Sequence, residues 1–490
     1  MLTITSFLLR TIGVSFNVYI SNKIGPEGVG VYQLVMSVYM FAVTIALSGI
    51  NLASMRIVSE ELAYGYEKNI KKAMTKCIKY SLFFGIISGS ILFFSANYIS
   101  SVWLHNKISA IPFYVISVSL PFVSVSSAIT GYFSAIRRVL KSACTQVFEQ
   151  VIKVILVSYL LSRFMPSGID FACLSLVLGV TISEFLSFIC LYFLYLFDIS
   201  KYKSNFESKT NLDKRILNIS IPIAITSYIR SGLSTLKQIL IPLRLEKSGM
   251  SCEYALSRYG MINGMVLPII LFPSTLIISF SSLLIPEFAY YNTKKETYKI
   301  NKSVSYILKV TLIFSTCIVG VFWCFSEELS LVIYNTSEIS LYIKILSPLI
   351  IFMYLDTIVD SILKGLDKQL SVMGINILDL FVSIGLIYFL LPLYGLIGYI
   401  IVLSISEIFN ALISFKQLLK TTNTKIDYLN WIIKPISGII ITNIVVNLVN
   451  INKNISISSL VVKIIIYILI YFIILVFLKS IEKKDLRYLK

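Results

Sequence analysis

Two sets of six hydrophobic stretches, separated by a basic linker, echo each other along this chain. The sequence Thr-Ile-Ser-Glu-Phe at residues 181–185 returns as Ser-Ile-Ser-Glu-Ile at residues 404–408. Each copy places one carboxylate, Glu184 or Glu407, near the middle of an apolar stretch. Membrane proteins built from two such repeats hold their substrate near the bilayer midplane, at the interface between the halves. The repeat therefore predicts a transporter rather than a protein that makes or breaks bonds.

The repeat also sets the predicted domain boundaries. We expect a six-helix lobe over residues 1–200, a cytoplasmic linker over 201–215 and a second six-helix lobe over 216–418. Residues 419–490 then hold two unrepeated helices and a basic cytoplasmic tail.

Composition points to a membrane protein. Apolar residues form 57% of the chain and charged residues 14%, and the mean hydropathy is +0.84. A helix needs about 20 mainly apolar residues to cross the hydrocarbon core, where unpaired backbone groups find no other partner. Fourteen stretches meet this requirement. The predicted fold is therefore all-α and integral to the membrane, with about 14 transmembrane helices in two homologous six-helix lobes plus two extra C-terminal helices.

The net charge of +18 is spread unevenly over the loops. Most of the 43 lysines and arginines fall on alternate loops, in segments such as 68–76, 201–215, 294–302, 416–434 and 479–490. Cytoplasmic loops carry this bias, so we expect a protein of the cytoplasmic membrane with both termini in the cytoplasm. A nucleic-acid partner, the rival explanation of the charge, is not expected. The start lacks a basic n-region, which predicts no cleavable signal peptide.

Seven scattered cysteines and a single histidine, His105, leave little for metal or covalent chemistry. The cysteines form no Cys-x-x-Cys pair and lie mostly within apolar stretches, where they act as packing residues. Histidine metal sites and Ser-His or Cys-His catalysis are not expected. The sequence therefore predicts no enzyme activity, no metal and no cofactor.

Glycine and proline indicate where helices break. The run Gly-Pro-Glu-Gly-Val-Gly at residues 25–30 predicts a tight turn between spans 1 and 2; it is not a phosphate loop, because no strand precedes it. A proline inside a span removes a backbone hydrogen bond and kinks the helix, either as a static feature or for gating. These prolines are Pro112 and Pro121 in span 4, Pro222 and Pro242 around span 7, and Pro268 and Pro273 in span 8.

Three cations lie deep within predicted spans, where a charge is costly and marks a functional candidate. Arg10 in span 1 ends a segment whose shorter copy ends at Arg230 in span 7, and Lys237 lies two turns beyond Arg230. A guanidinium binds phosphate oxygens through a two-pronged fork, so Arg10, Arg230 and Lys237 are the predicted substrate-binding residues. In the structural alternative, Arg10 reaches the membrane surface and Arg230 has a carboxylate partner.

Intramembrane carboxylates are the candidates for coupling or gating. Glu184 and Glu407 either pair with the arginines, bind a cation or take up a proton, or they only clasp neighbouring helices. Asp356 and Asp360 share a helix face one turn apart, where they hold a cation or pair with Lys364.

A further carboxylate pair differs between the halves. Glu149 has Lys153 one turn later, which predicts mutual neutralisation. Its repeat, Asp379, has Ser383 in the place of that lysine and is less balanced. Asp379 therefore joins Asp356 among the coupling or gating candidates.

Motifs over most of the chain resemble a known family. They are Arg-Thr-Ile-Gly at residues 10–13, the turn at 24–33, residues 146–150, residues 364–369 and residues 392–398. In them the chain resembles the stage V sporulation protein B family, in the polysaccharide-transporter branch of the MOP flippase superfamily, alongside MurJ-type lipid II flippases. The turn is the most specific motif.

The resemblance implies an alternating-access cavity between two lobes and the export of a lipid-linked saccharide, such as a peptidoglycan precursor in a spore-forming bacterium. The implied partners are a polyprenyl diphosphate saccharide, membrane lipids and a coupling H⁺ or Na⁺, and a monomer is expected. Asn17 stands where relatives often carry a basic residue, so one cationic contact of the cavity is missing. Spans 13 and 14 either line a groove for the lipid tail or complete the bundle.

Other functions fit fewer features. A cation-coupled exporter of drugs or metabolites, on the same superfamily fold, would use Glu184 and Glu407 but leave the matched arginines and the two extra helices without a role. A membrane glycosyltransferase is disfavoured because the chain has no long outward loop and no Asp-x-Asp motif for metal-bound sugars. A scaffold has no need of intramembrane arginines.

Overall fold

The computed structural model describes residues 2–64, 67–103, 109–201, 212–422, 424, 427–449 and 456–480. Within these ranges every regular element is a helix, so the all-α prediction is confirmed. His105, most of the predicted linker and residues 481–490 of the basic tail lie outside the described residues.

The α-helices are numbered in chain order and are joined in places by short π- or 3₁₀-helical turns. They are α1 (Leu2–Leu47), α2 (Ile50–Ala63), α3 (Glu67–Tyr98), α4 (Ile111–Ser117), α5 (Leu120–Ala135), α6 (Val139–Phe164), α7 (Ile169–Ile199), α8 (Leu212–Glu246), α9 (Cys252–Gly260), α10 (Leu267–Leu271), α11 (Ser274–Thr293), α12 (Thr297–Tyr334), α13 (Glu338–Leu346), α14 (Leu349–Gly365), α15 (Gln369–Thr422), α16 (Lys434–Val449) and α17 (Ile457–Phe477).

Ten helical stretches of the described chain are long and apolar enough to cross a membrane, and twelve if each of two bent pairs is one span. Two of the ten greatly exceed one crossing, since Phe7–Ala63 has 57 residues and Gln369–Thr422 has 54. Each contains a break, at Gly25 and at Gly395 respectively. One crossing takes about 20 residues, so both stretches have the length of two spans. The count of fourteen remains a prediction.

The helices bend at predicted sites and at one further site. Gly25 has a φ of 70°, which favours glycine, and Pro26 then starts the resumed helix, so the expected tight turn is a kink within α1. The axis turns by 61° between the α9–α10 segment and α11, beside Pro273. A second bend of 50°, between α13 and α14, lies beside Pro348, outside the predicted sites.

Packing divides the chain into two compact units. The first comprises Met1–Phe16, Lys23–Glu246 and Met250–Gly260, and the second comprises Asn17–Asn22, Lys247–Gly249 and Met261–Lys490. Helix α8 therefore packs with the first unit, although the sequence repeat begins its second copy there. The repeat boundaries themselves stay a prediction.

In the first unit, two glycines bring α1 and α9 into backbone contact. A Cβ on Gly30 would collide with the carbonyl oxygen of Leu256, and a Cβ on Gly260 would collide with the carbonyl oxygen of Pro26. Gly30 is thus required for close approach of two helices rather than for a turn.

In the second unit, polar contacts attach the unrepeated helices to α12. Lys463 of α17, which is almost fully buried, donates to both carboxylate oxygens of Glu328 on α12, at 2.9 and 3.0 Å. About two turns farther along α17, the hydroxyl of Tyr471 lies 2.8 Å from Oγ1 of Thr316. Helix α17 is therefore held to α12 at two levels, and α16 also packs on α12.

We expect Lys463→Ala to lower the free energy of unfolding by about 3 kcal/mol, because it leaves Glu328 without its partner in a poorly solvated site. The double variant Lys463→Met/Glu328→Leu removes both charges and should unfold close to the wild type. Denaturant unfolding in detergent micelles measures both. A single variant as stable as the wild type would show that the ion pair does not hold α17.

Candidate functional site

Helix α8 uses one of its faces to pack along the second half of α1, within the first unit. Thr44 on α1 donates to the hydroxyl of Ser231 at 3.0 Å, and Thr235 donates to the carbonyl oxygen of Ser37 at 3.0 Å. Residues 231 and 235 are one turn apart, so they define the packing face of this part of the helix.

The other two faces of α8 differ sharply in polarity. Ile225, Ile229 and Leu236 form an exposed apolar stripe of the kind that contacts lipid tails. Arg230 and Lys237, two turns apart, share a face that is neither the packing face nor the apolar stripe. Arg230 is exposed and Lys237 is half-buried. The two predicted cations of α8 are therefore on one polar face of this helix.

Arg10, the third predicted cation, is half-buried near the start of α1. Its Nε atom is buried and has no hydrogen-bond partner among the described residues. An unsatisfied guanidinium nitrogen inside a protein is costly, and an anionic ligand would satisfy it. Arg10 and Arg230 belong to the same compact unit.

Glu184 on α7 is held by a tyrosine that the sequence did not single out. The hydroxyl of Tyr39 donates to the carboxylate at 2.7 Å and also lies 2.8 Å from Oγ of Ser119. Lys153 interacts electrostatically with both Glu149 and Glu184. The described partners of Glu184 are thus the hydroxyls of Tyr39 and Ser119 and the ammonium of Lys153, and pairing with an arginine, one of the alternatives that the sequence left open, stays a prediction.

In the second unit, two aspartates of α14 meet two asparagines of α15. Nδ2 of Asn410 donates to Oδ2 of Asp356 at 3.0 Å and lies 3.3 Å from Oδ1 of Asn376. Asn376 in turn donates to Oδ2 of Asp360 at 3.2 Å. Two of the remaining oxygens, Oδ1 of Asp356 and Oδ1 of Asn410, are buried and accept no hydrogen bond of standard geometry from the described residues, although the hydroxyl of Ser414 interacts with Asp356.

A second group of polar side chains on α15 lies in the same unit. Ser406 donates to Oδ1 of Asp379 at 2.7 Å and receives a hydrogen bond from Ser383 at 2.8 Å. Glu407 and Asp379 both interact electrostatically with Asp356. Ser383 stands where the first half has Lys153, so this cluster lacks the internal lysine of its repeat.

Four carboxylates therefore share the cluster formed by Asp356, Asp360, Asn376, Asp379, Glu407 and Asn410, which we call the acid–amide cluster. Lys364 reaches only its edge, 3.9 Å from Asp360. Within the described residues, no three His, Cys, Asp or Glu side chains are grouped tightly enough to ligate a metal by themselves. A cation held here would need the amide oxygens as well.

Sequence reasoning identified the carboxylates but not the amides or Tyr39. Asn376 was visible as part of the repeat, and Asn410 as an amide three residues after Glu407 in an apolar stretch. Polar amides at membrane depth are a usable signal, because they too need partners there.

Comparison of the sequence with known proteins identifies the family of this chain. The sequence profile described as "Polysaccharide biosynthesis protein" matches residues 1–292. Stage V sporulation protein B of Bacillus subtilis (strain 168) is 24% identical over 401 residues, covering 79% of this chain and 76% of that protein.

Solved structures share the fold. Lipid II flippase MurJ, in an inward closed conformation, matches with a TM-score of 0.70 and 16% identity, over 96% of this chain and 97% of that chain. A multidrug resistance MATE family transporter of the MOP superfamily, in an inward-facing conformation, matches with a TM-score of 0.66 and 12% identity, over 86% of this chain and 100% of that chain.

The profile covers more than half of the chain, and the relatives with solved structures are a flippase and a transporter by name. The resemblance to stage V sporulation protein B is confirmed, and so is the expectation that the protein is not an enzyme. The chain belongs to the polysaccharide biosynthesis protein family, and it shares its fold with a lipid II flippase and with a multidrug transporter.

Proposed function

We propose that this protein is a flippase that moves a polyprenyl diphosphate-linked oligosaccharide, or a peptidoglycan precursor, from the inner to the outer leaflet of the cytoplasmic membrane. The observation that carries the proposal is the polar face of α8, where Arg230 and Lys237 lie away from the apolar stripe. Charges placed within a membrane-spanning helix and kept off its lipid-facing side mark the path of a charged substrate.

The chemistry of this face fits a diphosphate. The planar guanidinium of Arg230 offers two parallel donors to phosphate oxygens, and the ammonium of Lys237 adds a point charge two turns away. Arg10 brings a further guanidinium with an unsatisfied nitrogen. In this arrangement the saccharide head lies in the polar part of the protein while the polyprenyl tail stays in the lipid. Only the diphosphate and the sugars then have to be shielded from the hydrocarbon.

The acid–amide cluster supports cation coupling. It brings four carboxylates together with serine in the place of the lysine of the first half, and Oδ1 of Asp356 accepts no hydrogen bond of standard geometry. A bound H⁺ or Na⁺ would supply that missing partner. In alternating access, a cation that binds one conformation better shifts the population towards it and so drives the cycle.

The topology and context are part of the proposal. Lys294, Lys295, Lys299 and Lys302 lie on or beside the loop between α11 and α12, and we place this loop, with both termini, in the cytoplasm. The protein is taken to act as a monomer. The name of its Bacillus subtilis relative suggests spore or wall synthesis as the setting.

The second candidate is a cation-coupled exporter of small molecules. The match to a MATE family transporter and the acid–amide cluster both fit it. It leaves the cationic face of α8 without a function, because two positive side chains attract an anionic substrate and repel a cationic one.

A leaflet-sidedness assay distinguishes the two candidates. Purified protein is reconstituted into liposomes that carry a fluorescent polyprenyl diphosphate saccharide, and a membrane-impermeant quencher reports the fraction in each leaflet. We expect protein-dependent movement of the saccharide lipid and none of a fluorescent phosphatidylcholine, the matched control lipid. Transport of a cationic dye together with an immobile saccharide lipid would refute the flippase and favour the exporter.

A further inference from the structure

A groove of about 750 Å³ runs between α11 and α12, and both of its walls belong to the second unit. One part is apolar and is lined by Leu276, Phe280, Val310 and Phe314. Leu276 and Val310 are 52% and 41% exposed, so this part opens to its surroundings rather than being sealed. Its apolar lining suits a hydrocarbon chain.

The other part of the groove carries charge. Lys299, Lys302 and Ser303, at the start of α12, line it together with Tyr298. The first turns of a helix also present backbone N–H groups and the positive end of the helix dipole, which add to the attraction for an anion. The groove therefore joins a cationic end to an apolar wall.

Two carboxylates moderate this charge. Glu287 lines the groove and accepts a hydrogen bond from Tyr291 at 3.2 Å. Glu296 pairs with Lys299 at 2.9 Å, and the lysine side chain of this pair is 58% exposed. An exposed pair contributes little and is screened by salt, so it competes weakly with a bound anion.

We propose that this groove binds an anionic phospholipid of the membrane, with its phosphate at Lys299 and Lys302 and an acyl chain along the apolar part. Ammonium groups on long, hydrated stems at a helix start match a headgroup at the membrane surface. The proposed substrate contacts instead use the guanidiniums of Arg10 on α1 and Arg230 on α8, which belong to the other unit. The proposed ligand of the groove is therefore a membrane lipid rather than the diphosphate of the substrate.

Binding is measured on the purified full-length protein, first delipidated and then placed in phosphatidylcholine nanodiscs with spin-labelled phosphatidylglycerol. Restricted spin label reports bound lipid. We expect Lys299→Gln/Lys302→Gln to weaken binding of the anionic lipid at least about fivefold, since a basic residue near a surface contributes about that factor. Val310→Trp should reduce it while keeping every charge, because the ring fills the apolar part.

Lys294→Gln/Lys295→Gln is the matched control, since it removes the same charge from the adjoining loop but from no groove-lining residue. We expect less than a twofold change. An equal loss in this variant, or no loss with Val310→Trp, would reduce the effect to general surface attraction and overturn the site. Stronger competition by a polyprenyl diphosphate than by unlabelled phosphatidylglycerol would assign the groove to the substrate instead. The binding measurement requires no transport. The proposed lipid site can therefore be refuted while the proposed flipping of the saccharide lipid is confirmed, and the reverse also holds.

Discussion

Arg230→Ala is expected to slow flipping of a diphosphate-linked saccharide about a hundredfold while membrane insertion and folding stay intact. The variant removes two charge-assisted hydrogen bonds to phosphate oxygens, each contributing about 1.5 kcal/mol or more. Folding should tolerate it, because Arg230 is exposed and lies off the face that packs on α1. The rate is measured in the leaflet-sidedness assay.

The matched control is Ile229→Ala, which truncates the neighbouring residue on the apolar stripe. It should flip the saccharide lipid at nearly the wild-type rate. Arg230→Lys should recover part of the activity, since an ammonium keeps the charge but lacks the fork. Arg10→Ala should resemble Arg230→Ala. Wild-type rates in both alanine variants would mean that the diphosphate is bound elsewhere.

Helix class and membrane placement were predictable because they depend on composition and on local breakers. An apolar stretch of about 20 residues must be helical in hydrocarbon. Gly25 and Pro273 are residue types that interrupt a helix, so the breaks beside them could be predicted from the sequence. The bend beside Pro348 could have been predicted on the same ground. By contrast, the role of Gly30 depends on α9, which is remote in sequence, so a turn was the nearer interpretation.

The candidate site was predictable in its charges but not in their partners. The repeat identified Glu184 and Asp379 because a carboxylate in a span is conspicuous. One partner of Glu184 is the hydroxyl of Tyr39, which is 145 residues away in the chain. Nothing in the local pattern of α1 indicates that contact. The hydrogen bond from Asn410 on α15 to Asp356 on α14 is likewise not indicated by the local sequence pattern. Pairing across helices is set by packing, which a single sequence does not display.

The repeat itself explains why the two halves should differ in coupling. In the first unit, Lys153 offsets the charge of Glu149 and Glu184. In the second, Ser383 replaces that lysine and instead donates to Ser406. A cation binding to the second unit therefore meets no lysine at the position equivalent to Lys153, and we regard the acid–amide cluster as the stronger candidate for coupling.

Asp356→Asn is accordingly expected to abolish acceleration of flipping by a cation gradient, a loss of about tenfold or more for a coupling free energy of the usual size. Asparagine keeps the shape and the acceptor for Asn410 but cannot balance a bound cation. The rate is compared in liposomes with imposed sodium or pH gradients. Asp213→Asn, which removes an exposed carboxylate paired with Lys76, is the control and should keep the full response.

We base the expected identity of the cation on two buried oxygens of the cluster, Oδ1 of Asp356 and Oδ1 of Asn410, which accept no hydrogen bond of standard geometry from the described residues. One proton on Asp356 satisfies at most that oxygen and one acceptor beside it, whereas Na⁺ binds several oxygen ligands at once. We therefore expect a sodium gradient at constant pH to accelerate flipping, and Asn410→Leu to remove that response. Acceleration by a pH gradient that persists in Asn410→Leu would identify the proton instead. A gradient response that survives Asp356→Asn would place the coupling site outside this cluster.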